Sequence, residues 1–316
     1  VNETELDGGR LTLKRVRLDG TDRETIHVLD HPPRNATARI SRMYSLSTIS
    51  SDGKRIATGG FLGDGQTTPP PWGLLVYEIE NPDPAIVLQG PDWNNLHPQY
   101  CRNADTQASH DILVQQNHGA LFDAQGNVKR GLGLLADGDV GCDIHVVRDD
   151  GSNFRNMPWG RDGNEFCEGH QCWRGRSATV AITSAGTADL GENRLVEAQW
   201  AEYAGHIGAE TPGGRRNILS RSFFNTPKFH HFATDRDGRR FITDYTPEIP
   251  ATSRLCAAEF GASLNDPLKN WRYLLDTGSA FESTKHTHPF LSPDGKLGFF
   301  NSAESGLLQA YMIRGL

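Results

Sequence analysis

The residues best suited to chemistry in this chain are histidines, and two of them lie in Thr284-Lys285-His286-Thr287-His288-Pro289-Phe290. Spaced two apart, His286 and His288 present both imidazoles to one side of an extended segment. The run continues through Ser292-Pro293-Asp294-Gly295-Lys296 into Leu297-Gly298-Phe299-Phe300, which predicts strand, tight turn, strand. Lys228-Phe229-His230-His231 leads in the same way through Asp235-Arg236-Asp237-Gly238 into Phe241-Ile242-Thr243. Neutral imidazole is a good ligand for Zn²⁺ or Mn²⁺. It also titrates near neutral pH and can move protons. His231 with the His286/His288 pair makes a three-imidazole set with positions left for water or substrate. A divalent ion (Mn²⁺, Zn²⁺ or Ca²⁺) is the cofactor expected there. The plainer alternative is that these rings hydrogen-bond backbone groups.

A second group of reactive types is Cys167-Glu168-Gly169-His170-Gln171-Cys172-Trp173-Arg174-Gly175. A Cys167–Cys172 disulfide would hold His170 rigidly, and Trp173 offers a flat apolar face on which a sugar ring can stack. Arg174 is suited to pairing with a carboxylate. Gly169 and Gly175 permit close approach of backbone or ligand. A disulfide-stapled surface loop with a packing Trp is the simpler reading of the same residues. A third group holds His97, in Leu96-His97-Pro98, and His118, in Asn117-His118-Gly119. These two meet if one opens a strand and the other ends the next. His110, before an apolar strand, reads as structural.

The elements that position these residues are short β-runs, such as Leu11 to Leu18, Gly73 to Ile79, Asp111 to Gln115, Asp143 to Val147 and Ala178 to Ile182, separated by Gly, Asp, Asn and Pro. Units open near Arg42, His97, His170, His230/His231 and His286/His288, at a spacing of about 50–60 residues except for the longer step from His97 to His170. Each reads as two strands joined by a turn, followed by further strands. The expectation is one all-β domain over residues 1–316, a β-propeller of five blades, or of seven with degenerate blades. Strands near residues 10–18 would complete the short final unit and close the ring. A β-sandwich or β-helix is the alternative. In a propeller the first strand of each blade begins at the central channel, so the histidines at those starts would converge.

Bulk properties narrow the function. Net charge is -7 and the pI about 5.9, which argues against a nucleic-acid partner. No apolar run approaches the roughly 20 residues that span a bilayer. Val1 rather than Met opens the chain, as in a processed protein. Asn2 and Asn35 stand in glycosylation sequons. Cys101–Cys142 would form a second disulfide, leaving Cys256 over. With 34 glycines and 17 prolines this describes a secreted or periplasmic, loop-rich monomer.

The blade-start histidines, the run His288-Pro289-Phe290-Leu291-Ser292-Pro293-Asp294-Gly295-Lys296 and the Gly169-His170-Gln171-Cys172-Trp173 loop together resemble the β-propeller polysaccharide lyases, the oligogalacturonate lyases and ulvan lyases among them. The resemblance is carried by residues 97–300. The resemblance to oligogalacturonate lyases implies that His231, His286 and His288 are metal ligands and that His170 is catalytic or contacts substrate. The resemblance to ulvan lyases implies that His97 and His118 are the proton-transfer pair. The implied substrate is an acidic poly- or oligosaccharide. The implied reaction removes the C5 proton of a uronate and expels the C4 oxygen. A metal or Arg174 on the carboxylate stabilises the enolate-like intermediate.

Two rivals stand beside this reading. A propeller glycoside hydrolase needs two pocket carboxylates, for which Asp143, Asp244 and Glu282 are the candidates. A non-catalytic glycan- or protein-binding propeller needs neither metal nor acid.

Overall fold

The computed structural model describes residues 10–17, 19–80, 83–118, 120–130, 142–157, 165–187, 193–200, 214–221, 228–246, 252–263, 266–279 and 285–316. Asn2 and Glu282 lie outside them. The chain divides into two compact units, Val1–Arg155 and Asn156–Leu316. The helical content of the described residues is one 3-10 turn, Ala108–His110. Among the described residues no helix is long and apolar enough to cross a membrane.

In the first unit β1 (Leu11–Arg15) pairs with β2 (Glu24–Leu29). An antiparallel meander follows: β3 (Arg42–Ile49), β4 (Arg55–Phe61), β5 (Trp72–Glu78) and β6 (Ala85–Gly90). After it come β7 (Gln99–Tyr100), β8 (Asp111–Asn117), the hairpin β9 (Leu121–Phe122) and β10 (Val128–Arg130), then β11 (Cys142–Arg148) and β12 (Arg155–Asn156). β8 and β11 pair along their whole length. Leu74 and Val76 of β5 pack on Ile112 and Val114 of β8, joining the meander to the β8–β11 pair through one apolar layer.

The second unit holds three further sheets. The first is β13 (Glu165–Trp173), β14 (Val180–Thr187), β15 (Asn193–Trp200) and β16 (Gly214–Arg221), paired in chain order. The second is β17 (Lys228–Thr234), β18 (Arg240–Thr246), β19 (Arg254–Glu259) and β20 (Lys269–Asp276). The third, as short as expected, is β21 (Phe290–Leu291), β22 (Leu297–Ser302) and β23 (Gln309–Arg314). Phe229 and Phe241 pack on Ile182 and Leu219 between the first two. Ala233, Ile242 and Leu255 pack on Leu291 and Phe300 between the second and third.

Four blade-type sheets are therefore formed among the described residues, which corrects the expected five and excludes the seven-bladed alternative. The expected second blade is the incomplete one. Asn95 and His97 have positive φ (51° and 43°), and Pro98 has no N–H to give a ladder, so its first strand shrinks to Gln99–Tyr100.

One turn recurs between first and second strands. Ser50 and Ser292 each donate a hydroxyl hydrogen bond to the Asp two residues on (2.6 and 2.7 Å), whose carboxylate accepts the following Lys N–H. Gly53 and Gly295 close these turns at φ 71° and 70°, a conformation that favours glycine.

Candidate metal centre

The histidines sit in β-bulges. Phe229 pairs with Tyr245 and Phe232 with Thr243, so His230 and His231 together face the single residue Asp244. In β13, Cys167 pairs with Ala185 and Gln171 with Thr183, leaving residues 168–170, including His170, opposite Ser184. In β3, residues 44–46 face Gly59 in the same way. A bulge bends its strand and re-aims the side chains it carries. A buried threonine on the second strand clamps each one. Thr58 donates to Leu46 O (3.0 Å), Thr183 to His170 O (2.8 Å) and Thr243 to His231 O (3.1 Å).

The bulge in β17 brings His231 to His286 and His288. One ligand nitrogen from each of the three lies within 4.8 Å of the others. The His231 and His288 ring centroids are 3.9 Å apart, and each is 5.4 Å from that of His286. Residues 285–289 lie outside any ladder; β21 begins just after them. They are held by Asn301, whose N–H donates to Thr287 O (2.7 Å) and whose side-chain amide donates to His286 O (3.3 Å). Thr287 is wholly buried while His286 is half-buried and His288 exposed, so the pair shares a face as its spacing predicts. His288 precedes Pro289 with φ 43°, as His97 precedes Pro98, both strained positions of the kind found at functional sites.

Asp244, expected from the sequence only as a candidate acid for hydrolysis, stands behind this cluster. It is fully buried; Oδ1 accepts the His231 backbone N–H (2.6 Å) and Oδ2 faces His231 Nδ1 (3.0 Å). Burial pushes its pKa up to about 6, against the pull of the His231 N–H and of nearby His230 and His288. As a carboxylate it can only accept, so Nδ1 carries the hydrogen and Nε2 presents the lone pair. The sequence signal was Ile242-Thr243-Asp244, matched by Ile182-Thr183-Ser184 on β14. His170, half-buried, places its ring 4.6 Å from that of His231. The donor set of three imidazoles, one fixed from behind and one open to solvent, fits a divalent ion. Three nitrogens about 2 Å from one ion sit about 3 Å apart, so small rotamer changes complete the approach.

The other expected site residues have the following surroundings. In the first unit His97 Nδ1 is 2.9 Å from Gln115 Oε1, and Gln115 in turn donates to Asn117 Oδ1 (2.9 Å). His118 Nε2 is 3.1 Å from Asp143 Oδ2. Trp173 is only 1 % exposed and packs in the core, so it has no face for a sugar. Arg174 follows β13 at its turn end, donating Nε–H to Gly238 O (3.2 Å) and stacking on Phe260.

Neither expected disulfide is formed; all five cysteines are buried. The partners of Cys167 and Cys172 are Ala185 and Ile182, three residues apart on β14, on the order of 10 Å, beyond the roughly 7 Å a disulfide spans. Cys101 bonds Asp111 O and Cys142 pairs with Asn117, at opposite ends of β8, on the order of 20 Å apart.

No protein-family model and no curated protein matches the sequence. Solved structures do. An oligogalacturonate lyase in complex with manganese is 16% identical, with a TM-score of 0.64 over 98% of this chain and 74% of its own. The oligogalacturonate lyase of Vibrio parahaemolyticus is 16% identical, with a TM-score of 0.65 over 99% and 76%. The β-propeller domain of the Trilobed protease from Pyrococcus furiosus is 12% identical, with a TM-score of 0.55 over 100% and 78%. At these identities the likeness shows the fold, a β-propeller, and a distant resemblance to the oligogalacturonate lyases.

Proposed function

We propose that this protein is a polysaccharide lyase that cleaves a uronate-containing glycan by β-elimination. His231, His286 and His288 hold a divalent ion, and His170 takes part in proton transfer. The observation that carries the reading is the convergence of three imidazoles within 4.8 Å, with Asp244 behind one and a fourth imidazole beside it. The fold likeness to oligogalacturonate lyases supports it, one of them in complex with manganese. Three imidazoles suit Mn²⁺ or Zn²⁺ better than Ca²⁺, which prefers oxygen ligands.

A bound ion would neutralise the uronate carboxylate and so make the C5 proton more acidic. His170, neutral, accepts that proton; the C–H electron pair becomes the C4–C5 double bond, and the C4–O pair leaves with the oxygen, which takes a proton. The half-buried and exposed rings of His286 and His288 leave the site open on the side a chain would approach. Hydrolysis has less support. Among the described residues, the carboxylate in contact with the cluster is Asp244, wholly buried and facing His231. Asp143 faces His118. In this reading His118, oriented by Asp143, is a second proton-transfer candidate, and His97, held by Gln115, a third. Arg174 does not hold the substrate carboxylate at the cluster. An acidic glycan substrate suits a monomer working in the periplasm or outside the cell.

The test is digestion of a panel of uronic-acid glycans by the manganese- or zinc-loaded protein, read by the ultraviolet absorbance of an unsaturated uronate. Appearance of that absorbance with one glycan, and its loss in His288→Ala, supports the reading. Cleavage without it contradicts it.

A further inference from the structure

A different face of the second unit concentrates positive charge in a chain whose net charge is -7. A cavity of about 1040 Å³ is lined by Arg174, Arg176, Arg236, Arg239, Arg240 and Lys269, against two acids, Asp237 and Glu259. Both acids are already engaged. Asp237 lies 3.2 Å from Arg176 and 3.6 Å from Arg236, and Glu259 accepts from Asn270 (2.7 Å). Six cations against two acids leave a surplus of positive charge along the cavity, even with Arg176 and Arg236 beside Asp237 and Arg240 donating to Gly295 O (2.8 Å) and Leu316 O (2.7 Å). Its wall is built rather than incidental. Gly175 and Gly238 approach so closely that a Cβ on Gly175 would stand 2.4 Å from Gly238 N. Arg174 is pinned between Gly238 O and the Phe260 ring, its guanidinium carbon 4.2 Å from the ring centroid.

A second cavity of about 410 Å³ shares Arg240 and Glu259 with the first and adds Trp271 and Arg272. Trp271 is 39% exposed, and Phe229 stacks on it at 5.9 Å, which fixes the plane of its indole. A fixed, part-exposed indole beside a row of guanidinium groups matches a chain that alternates apolar ring faces with carboxylates. The larger cavity is lined from Arg236 onward, past the turn end of β17 and five residues beyond His231, on the order of 15 Å along an extended chain, so it is separate from the histidine cluster.

We propose that these joined cavities form a second binding site for an acidic oligosaccharide, with its carboxylates on the arginine and lysine side chains and one sugar ring on Trp271. The choice of a glycan rests on the lyase reading; the site's preference for anions does not.

The experiment titrates a short oligogalacturonate into the full chain carrying His288→Ala, with chelator present, so that the histidine cluster is silent. Binding is expected to survive and to weaken with added salt. It should fall by about tenfold when Arg236→Ser, Arg239→Ser and Lys269→Ser, all exposed, are added together. Trp271→Phe should weaken the oligosaccharide but not inorganic phosphate. A maltooligosaccharide should not bind. Unchanged binding in the triple variant, equal binding of the neutral sugar, or full displacement by pyrophosphate at equal concentration would each overturn the proposal. Binding to this face by a protein that releases no unsaturated uronate would sink the lyase reading alone. Elimination without binding here would sink this site alone.

Discussion

Asp244 holds His231 twice, accepting its backbone N–H at 2.6 Å and facing its Nδ1 at 3.0 Å. One buried carboxylate therefore sets both the bulge and the tautomer of the most buried ring in the cluster. Burial raises the folded-state pKa to about 6 from 3.8. For such a group the stabilising contribution is full below about pH 3.8 and is lost as pH rises through about 6. The metal-free chain thus carries a penalty at neutral pH that is absent near pH 4.

Asp244→Asn should therefore raise the denaturation midpoint of the metal-free protein above about pH 6 and leave it unraised near pH 4. The same change should weaken metal binding about 10- to 100-fold, because an amide N–H facing Nδ1 moves the imidazole hydrogen to Nε2. Parallel urea titrations and metal titrations at the two pH values check both signs. A variant less stable at pH 8 yet unchanged in metal affinity would contradict the assignment.

The threonine clamps separate structure from site. Thr243→Val and Thr58→Val should each cost about 1–2 kcal/mol, since each leaves a bulge carbonyl without its donor. Only Thr243→Val should also lower metal affinity, because its clamp holds His231. Chemical denaturation with metal titration on both variants tests this.

His170 and His118 can be told apart kinetically. His170→Ala should lower kcat on the order of a hundredfold with metal content unchanged, as loss of a proton-transfer group does. A drop in metal content instead would make His170 a ligand. His118→Ala should show a comparable loss if its Asp143-oriented imidazole transfers the second proton, and near-normal kcat if the pair is structural.

In the first unit, Asp149 gathers Arg55 Nε (2.9 Å), His110 Nδ1 (2.8 Å) and the Tyr100 hydroxyl (3.2 Å). Its side chain is only 8% exposed. Asp149→Ala should cost about 1–3 kcal/mol, because Arg55 keeps Asp52 (3.2 Å) while Tyr100 and His110 lose their shared acceptor. A loss under 1 kcal/mol in urea denaturation would contradict that.

Much of this was legible in the chain. The Asp-Gly turns at Gly53 and Gly295 and the alternating apolar runs announced repeated antiparallel sheets, because a positive φ and a period of two leave clear residue signatures. The His-x-His spacing announced the shared face of His286 and His288. The bulges were not legible, since an extra residue in a strand has no composition of its own; only Thr58, Thr183 and Thr243 mark them. Trp173 was misread because exposure depends on which face of β13 a residue takes, and the bulge before it shifts that face. The disulfides failed for a related reason. Short separation in sequence between Cys167 and Cys172 is a long distance on an extended strand. The blade count failed where Pro98 and the positive φ of His97 cut one strand short.

The proposed β-elimination depends on a metal held on His231, His286 and His288. The most direct measurement is the mass of the new chain ends when the metal-loaded protein cuts a polyuronate in heavy-oxygen water. An unsaturated uronate is expected at the new non-reducing end, one water lighter than the hydrolysis product. Saturated non-reducing ends, with every new reducing end carrying heavy oxygen from the first cut, would mean hydrolysis and contradict the proposed elimination.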